Sequence, residues 1–385
     1  MTQDLDRIPL NEVRDLLHIG HKLPFRVLDA QARLLLNEGH VLLNEAQFDS
    51  LVERGAWAER SQVEAERVAR AAGRTPPAAP PPSLFDRWDR LLWDFDKLSR
   101  APPRSAALGH AVTAFFAQLQ ALVERDADVA LFLALRHDDQ RFALYPLTHA
   151  MHCAVVSLLT ARQLGWPASR IASVGCAALT MNWGMFDLQA TMAEQDAPPT
   201  SRQMEQIRAH PAATSQMLRE AGVRDADWLA AVDDHHEQAG GGGYPRGVAE
   251  VSGPAQLLRA TDIFMAKISP RAKRPPMVPQ LAARQLFQQQ PGSPLAMSLI
   301  KAIGVHPPGS LVQLQSGEVA VVTHRPQAGR AAQVATLSNR QGQPSIDTHR
   351  RDTAPPEFAI RAAVTDGALF PRVLPERVYG LIQAD

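Results

Sequence analysis

The segment Asp-His-His-Glu-Gln-Ala-Gly-Gly-Gly-Gly-Tyr-Pro, residues 234–245, decides how the rest of this chain is interpreted. A helix that begins near Trp228 would carry His235 and His236 in its last turn, because the run of glycines ends it. Two adjacent imidazoles followed by backbone without side chains are unlike an ordinary surface segment. The segment therefore predicts a polar cavity at a helix end, with both rings facing it.

The surrounding sequence is predicted to be helical. Apolar residues recur at spacings of three and four from about residue 84 to residue 290. Proline disfavours helical geometry in the residue before it, so His210, which precedes Pro211, is predicted to lie at a break between two helices. Pro254 starts a further helix, and one face of that helix carries Asp262, where a core would require an apolar residue.

Five residues of the helical region are candidate metal ligands: His149, His210, His235, His236 and Asp262. Imidazole nitrogen and carboxylate oxygen suit Fe, Mn or Zn in hydrolytic centres, where a metal lowers the pKa of bound water and neutralises phosphate oxygens. Each histidine taken alone is more often a hydrogen-bonded core or surface residue than a ligand. The hypothesis of a metal site depends on the set.

The order and spacing of these residues resemble the HD-GYP family, cytoplasmic bacterial proteins that cleave the second messenger cyclic di-GMP. The resemblance covers residues 145–279 and rests on His-His-Glu at 235–237 and Gly-Gly-Gly-Tyr-Pro-Arg-Gly at 241–247. It implies an HD-type helical domain, and it implies that the five candidate residues are the metal ligands. The N-terminal and C-terminal segments also resemble modules that accompany this domain in some members.

The chain departs from the family at the residue pair that gives the family its name. The resemblance places Met181 and Asn182 where the family has histidine and a metal-bridging aspartate, and Met185 where it has lysine. A carboxylate offers two anionic oxygens to two cations, whereas asparagine offers one neutral carbonyl and methionine a soft thioether. The three histidines could still hold one divalent metal, whereas His149 and Asp262 alone would leave the second metal of a dinuclear centre under-coordinated. Hydrolysis is expected to be lost or strongly impaired.

Residues beside the expected site are candidates for contacts to a nucleotide. These are Gly243, Tyr244 and Pro245 of the glycine-rich turn, and Arg271 of a short basic run that also contains Lys267, Lys273 and Arg274. The alternative interpretation of the basic run is a solvated surface.

Three interpretations of function remain open. The chain could bind cyclic di-GMP or a signalling partner without turnover, act as a phosphodiesterase with a reduced metal set, or serve as a purely structural interaction protein. The first is expected, and it leaves no confident catalytic residue.

The fold class predicted is mainly α, with a multi-helix HD-type domain flanked by two small modules. Turn residues and short β-type runs indicate the modules, and the 311–323 segment has a hairpin pattern. An Ala/Pro-rich segment, typical of a semi-rigid spacer, follows the first module. The predicted boundaries are an N-terminal α+β module at 1–62, the linker at 63–83, the helical domain at 84–300 and a β-rich C-terminal module at 301–385.

Composition limits the class of partner. Forty basic and forty acidic side chains give zero net charge, so neither nucleic acid nor an anionic membrane is indicated. The uncharged window at 142–161 contains too many polar residues for a lipid-exposed helix, and charged residues near the N-terminus leave no apolar run for a signal peptide. Cys153 and Cys176 lie in apolar surroundings and are expected to behave as small hydrophobic residues in a reducing cytoplasm.

Overall fold

The computed structural model describes residues 6–28, 32, 34–36, 38–39, 42, 48–49, 51–52, 55–72, 83–100, 107–135, 144–271, 274, 276–289, 292–345, 348–364 and 375–379. The chain divides into two compact units, Met1–Arg90 and Leu91–Asp385. Each unit is described by itself.

The first unit is built on a small antiparallel sheet. Its strands are β1 (Arg7–Pro9), β2 (Val27–Leu28), β3 (Leu34–Leu36) and β4 (Trp57–Glu59), in the spatial order β1-β4-β2-β3. A 3₁₀ helix covers Leu10–Leu16, and helix α1 covers Arg60–Ala71. The core of this unit is apolar and includes the fully buried Phe25 and Val63.

Helix α1 extends into the segment predicted as a linker. Val63 is buried in the core of the first unit, and the Arg70 guanidinium donates to the carbonyl of Leu16 at 2.6 Å. These contacts favour helix over spacer from residue 63 to residue 71. The Ala/Pro-rich part of the predicted linker, residues 73–82, lies outside the described residues.

Helices make up most of the chain that follows. They are α2 (Leu84–Arg100), α3 (Ala107–Arg125), α4 (Ala127–Leu135), α5 (Tyr145–Gln163), α6 (Ala168–Thr180), a 3₁₀ turn (Trp183–Met185), α7 (Phe186–Glu194), α8 (Ser201–Glu220), α9 (Ala226–Asp234), α10 (Gly253–Ile268), α11 (Pro279–Gln289) and α12 (Pro294–Ile303). Helix α5 packs against α6 and α10, and α9 packs against α6, α8 and α10. This packing brings together the helices that carry the candidate ligands.

The predicted helix break at His210 is wrong. Helix α8 continues without interruption from Ser201 to Glu220, with Pro211 in its interior. The proline removes one backbone donor but the helix is kept, because its neighbours bury one face that includes His210, Pro211 and Leu218.

The C-terminal residues form a second antiparallel sheet. Its strands are β5 (Leu311–Leu314), β6 (Val319–His324), β7 (Gln333–Thr336), β8 (Arg350–Asp352) and β9 (Ile360–Ala363), in the order β8-β7-β6-β5-β9. Strands β5 and β6 form the predicted hairpin. A 3₁₀ turn covers Pro356–Phe358, and a short helix α13 covers Pro375–Val378.

This sheet belongs to the same compact unit as the helices. The Arg325 guanidinium forms an ion pair with buried Asp128 of α4, and the Tyr379 ring packs edge-on against Phe132 at a centroid distance of 5.3 Å. The predicted fold class, mainly α with small β modules, is confirmed. None of the helices within the described ranges is long and apolar enough to cross a bilayer.

Candidate metal centre

Three of the predicted ligands meet at the junction of helices α8 and α9. His210 lies in the middle of α8, His235 caps the C-terminal end of α9, and His236 follows it. The His235 and His236 rings are 4.2 Å apart between centroids, and each is 5.1 Å from the His210 ring. His210 and His235 are both almost completely buried.

Hydrogen bonds to the backbone fix the tautomers of His210 and His235. The Nδ1 atom of His210 lies 2.6 Å from the carbonyl oxygen of Ile207, and Nδ1 of His235 lies 2.7 Å from that of Val232. Because a carbonyl only accepts, each Nδ1 carries a proton and each Nε2 of a neutral ring carries a lone pair.

The two Nε2 atoms lie only 3.1 Å apart. A hydrogen bond between them would require one ring to be an imidazolium, but burial lowers the pKa of both rings, that of His210 to about 3. At neutral pH the two lone pairs therefore face each other. A shared cation relieves this repulsion, since two ligand nitrogens at metal–nitrogen bonds of about 2.1 Å are about 3.0 Å apart in octahedral and about 3.4 Å apart in tetrahedral coordination.

The backbone explains why these two carbonyls are available. In a regular helix the N–H of residue 211 would donate to the carbonyl of Ile207, but Pro211 has no N–H. Val232 is in the last turn of α9, where carbonyls have no helical partner. In both places the side chain of a histidine supplies the missing donor, and its Nε2 is thereby directed away from the backbone.

His236 completes a set of three imidazole donors. Its Nε2 atom is buried and has no hydrogen-bond partner among the residues that the structure describes. Burial lowers its pKa to about 2, so the ring is neutral at physiological pH. The ring of Tyr244 stacks on it at 4.6 Å. Three neutral imidazoles with converging nitrogens fit a divalent metal.

His149 and Asp262 form a second cluster. Nε2 of His149 on α5 lies 2.8 Å from Oδ1 of Asp262 on α10. Burial alone would raise the pKa of Asp262, but the hydrogen bond and the electrostatic interaction with His149 hold it well below its usual range. The Cys153 thiol lies 3.6 Å from the same Nε2 atom. The ligand atoms of these three residues all lie within 4.8 Å of one another.

The sequence does not mark Cys153 as a candidate ligand. It is buried, as expected of a small hydrophobic residue, but its sulfur faces an imidazole and a carboxylate. The available signal was its position four residues after His149, because residues at that spacing share one face of a helix.

Met181 and Asn182 are both buried at the end of α6, and Met181 has no solvent exposure. The backbone carbonyl of Asn182 accepts a hydrogen bond from the backbone N–H of Met185 at 2.9 Å, at the start of the short 3₁₀ turn. Met185 itself is half-buried. Neither of the two buried side chains can supply an anionic oxygen to a metal.

The glycine-rich turn is held by Glu237. Its carboxylate accepts the backbone N–H groups of Arg246, Gly247 and Val248 at 2.6, 3.1 and 3.2 Å. A Cβ atom on Gly243 would lie 2.4 Å from the Glu237 Cα, so only glycine fits there. The Tyr244–Pro245 peptide bond is cis. Glu237 therefore stabilises the turn, and both of its carboxylate oxygens accept hydrogen bonds from backbone N–H groups.

Arg271 lies next to the second cluster. Its guanidinium donates to the Tyr145 hydroxyl at 2.9 Å and sits 5.1 Å over the centre of that ring. The same hydroxyl lies 3.4 Å from Nδ1 of His149. Arg271 Nε is buried and has no hydrogen-bond partner within the described part of the chain. Of the rest of the predicted basic run, Lys267 donates to Gln285, and position 273 lies outside the described residues.

The chain is similar in part to known proteins. Residues 138–292 match the family described as HD domain. The chain is 25% identical over 313 residues to the cyclic di-GMP phosphodiesterase PA4108 of Pseudomonas aeruginosa, covering 74% of both chains. Among solved structures it is similar to Bd1817, a HDG"Y"P protein from Bdellovibrio bacteriovorus, with a TM-score of 0.49 and 14% identity over 77% of this chain and 98% of that one.

Proposed function

We propose, because this chain belongs to the HD-GYP family of HD domain proteins, that it binds cyclic di-GMP at a metal held by His210, His235 and His236, and that hydrolysis is lost or strongly impaired. The P. aeruginosa relative is named a cyclic di-GMP phosphodiesterase. The nucleotide is therefore the first ligand to test. The observation that carries the metal site is the pair of buried Nε2 atoms facing each other at 3.1 Å.

A metal at the three histidines would attract phosphate. Neutral imidazoles leave its full positive charge in place, and three protein ligands leave a coordination position open. The charge and the open position together suit a non-bridging phosphate oxygen. The protein holds the His210 and His235 rings in orientation by hydrogen bonds to the backbone, and the His236 ring stacks on Tyr244.

Two arginines act electrostatically on Tyr244. Burial and the charge of Asp262 raise the pKa of the Tyr244 hydroxyl, and the positive charges of Arg208 and Arg259 act in the opposite direction. Neither arginine forms an ion pair with any described residue. We expect them to contact the second phosphate of the dinucleotide, while Tyr244 offers an aromatic face to a base.

Loss of hydrolysis follows from the residues at the end of α6. Phosphodiester cleavage by two metals depends on a ligand that bridges them and places one on the attacking and one on the leaving oxygen. Asn182 offers a neutral amide and Met181 a thioether, so the bridge is absent from the described ligand set. Met185 also lacks the positive charge that would stabilise the transition state.

Isothermal titration calorimetry with cyclic di-GMP and metal-loaded protein tests the proposal. We expect saturable binding that disappears after metal removal and weakens about tenfold in Arg259→Ala, the loss of one charge-assisted contact of about 1.4 kcal/mol. Arg202→Ala replaces an exposed arginine at the N-terminal end of α8 and is the matched control. This variant should bind the nucleotide as the parent does. No heat at tens of micromolar nucleotide contradicts the proposal.

One alternative is supported by the same geometry. A single metal with an open position can activate water, so a phosphodiesterase with a reduced metal set predicts linear dinucleotide or GMP that disappears in His235→Ala. A purely structural interaction protein predicts neither metal nor nucleotide binding. Product analysis of the calorimetry samples separates these outcomes.

A further inference from the structure

We propose that the Cys153 thiolate is a metal ligand and that, with His149 and Asp262, the two ligands that the family resemblance already implies, it holds a second metal ion suited to zinc. The site goes beyond the proposed function, because it requires neither nucleotide nor a bridging carboxylate. It supplies the third ligand that His149 and Asp262 alone would lack.

The geometry fits a tetrahedral zinc ion. With a Zn–S bond of about 2.3 Å and a Zn–N bond of about 2.1 Å, the sulfur and nitrogen ligands are about 3.6 Å apart. The Cys153 sulfur and His149 Nε2 are already at that separation, 3.6 Å. The nitrogen and the carboxylate oxygen of Asp262, now 2.8 Å apart in a hydrogen bond, must move to about 3.4 Å. That adjustment needs only a small rotation of the carboxylate.

The three residues are presented by two rigid elements. His149 and Cys153 are four residues apart on α5, so their side chains lie on one face, and α10 packs against that face with Asp262. His149 and Cys153 are almost completely buried, and Asp262 is partly accessible. The accessible side provides an entry path and room for a water as the fourth ligand.

Metal binding changes the protons in a definite way. The thiol proton of Cys153 leaves to solvent, and the ring proton of His149 moves from Nε2, which now faces Asp262, to Nδ1. The Tyr145 hydroxyl lies 3.4 Å from Nδ1 and is itself held by Arg271, so the ring keeps a partner for its other nitrogen. The thiolate and carboxylate then neutralise the ion, whereas the three-histidine site stays positively charged.

Cys176 shows what a cysteine without such surroundings looks like in the same chain. It is buried on α6, its sulfur lies 3.9 Å from the Thr113 hydroxyl, and it belongs to no candidate ligand group among the described residues. The two cysteines thus share burial but differ in their neighbours. Cys176 is therefore the matched control for Cys153.

Cobalt substitution of the full-length protein tests the proposal. A cobalt–thiolate bond gives a near-ultraviolet charge-transfer band that imidazole and carboxylate ligands do not give, and metal analysis gives the stoichiometry. We expect two cobalt ions per chain with the band in the parent and in Cys176→Val. Cys153→Val and the less perturbing Cys153→Ser should bind one ion without the band.

The double variant His210→Ala, His235→Ala separates this site from the three-histidine site. It should lose one ion and keep the band, since both Cys153 and His149 are unchanged. Absence of the band in the parent, its persistence in Cys153→Val with circular dichroism matching the parent, or unchanged stoichiometry in both Cys153 variants overturns the proposal. A parent that binds one ion and shows the band contradicts the three-histidine site and leaves the thiolate site supported.

Discussion

Acidification should destabilise the metal-free protein, because the buried imidazoles take up protons only after unfolding. The ordinary histidine pKa is 6.5, whereas burial lowers it to about 3 for His210 and to about 2 for His236, and lowers that of His235. Below pH 6.5 the unfolded chain therefore binds more protons than the folded chain, and the free energy of unfolding decreases as the pH is lowered. The loss begins near pH 6.5 and continues towards the folded pKa values.

The magnitude follows from proton linkage. Consider an imidazole that has an unfolded pKa near 6.5 and stays neutral in the folded state. Between pH 7 and pH 5.5 it reduces the free energy of unfolding by about 1.2 kcal/mol. His210 and His236 together give about 2.5 kcal/mol, and His235 adds to the loss in the same direction.

Urea denaturation in the presence of a chelator measures this loss. Far-ultraviolet circular dichroism reports the loss of helix, most of which lies in the second unit, and the two pH values give the difference in the free energy of unfolding. His236→Gln, which has no titrating ring, should reduce the pH-dependent loss by about 1.2 kcal/mol. His110→Gln, on the exposed surface of α3, controls for replacing a histidine as such. Equal pH dependence in parent and His236→Gln would refute the assignment of a buried neutral imidazole.

Three further predictions concern residues around the site. Pro211→Ala restores an N–H that competes with His210 for the Ile207 carbonyl, so metal affinity should fall about tenfold. The control Pro294→Ala, at the first turn of a helix, should leave metal affinity unchanged. An unchanged affinity in Pro211→Ala would argue against the role of the Ile207 carbonyl. Gly243→Ala should cost about 2–4 kcal/mol of unfolding free energy because its Cβ meets backbone, and thermal denaturation should show Gly242→Ala, which meets only the Gln238 side chain, to be far milder. Glu237→Gln should destabilise the turn by about 1–3 kcal/mol with metal stoichiometry unchanged by elemental analysis, and loss of metal would make Glu237 a ligand.

The sequence was sufficient to predict the helical domain and the grouping of three histidines. The pattern around His235 and His236 predicts a helix end and a turn, and it carries the family resemblance. The structure brings the His210 ring next to these two rings. His149 and Asp262 also pair as ligands would. The role of all five as metal ligands stays a prediction.

Local rules failed where tertiary packing outweighed them. The proline rule predicts a break at His210, but the burial of one face of α8 keeps the helix continuous, and the same proline frees the carbonyl that orients the ring. The first residues of the predicted linker, from residue 63, are helical for the same kind of reason, since Val63 is buried in a core. Neither effect can be read from a short window of sequence.

Cys153 shows a different limit. Its spacing from His149 is visible in the sequence, but many buried cysteines occupy such positions without chemistry. Only the packing of α10 against α5, which brings Asp262 to the same point, distinguishes it from Cys176. That information is long-range, and periodicity does not contain it.

We expect this chain to bind cyclic di-GMP at a metal held by His210, His235 and His236 and not to turn the nucleotide over. The most direct test compares cyclic di-GMP hydrolysis, followed by chromatography of the products, in the metal-loaded parent and in a variant with Met181→His, Asn182→Asp and Met185→Lys. We expect no product above background from the parent and measurable turnover from the variant. Hydrolysis by the parent as fast as by the variant would show that Met181, Asn182 and Met185 do not impair turnover.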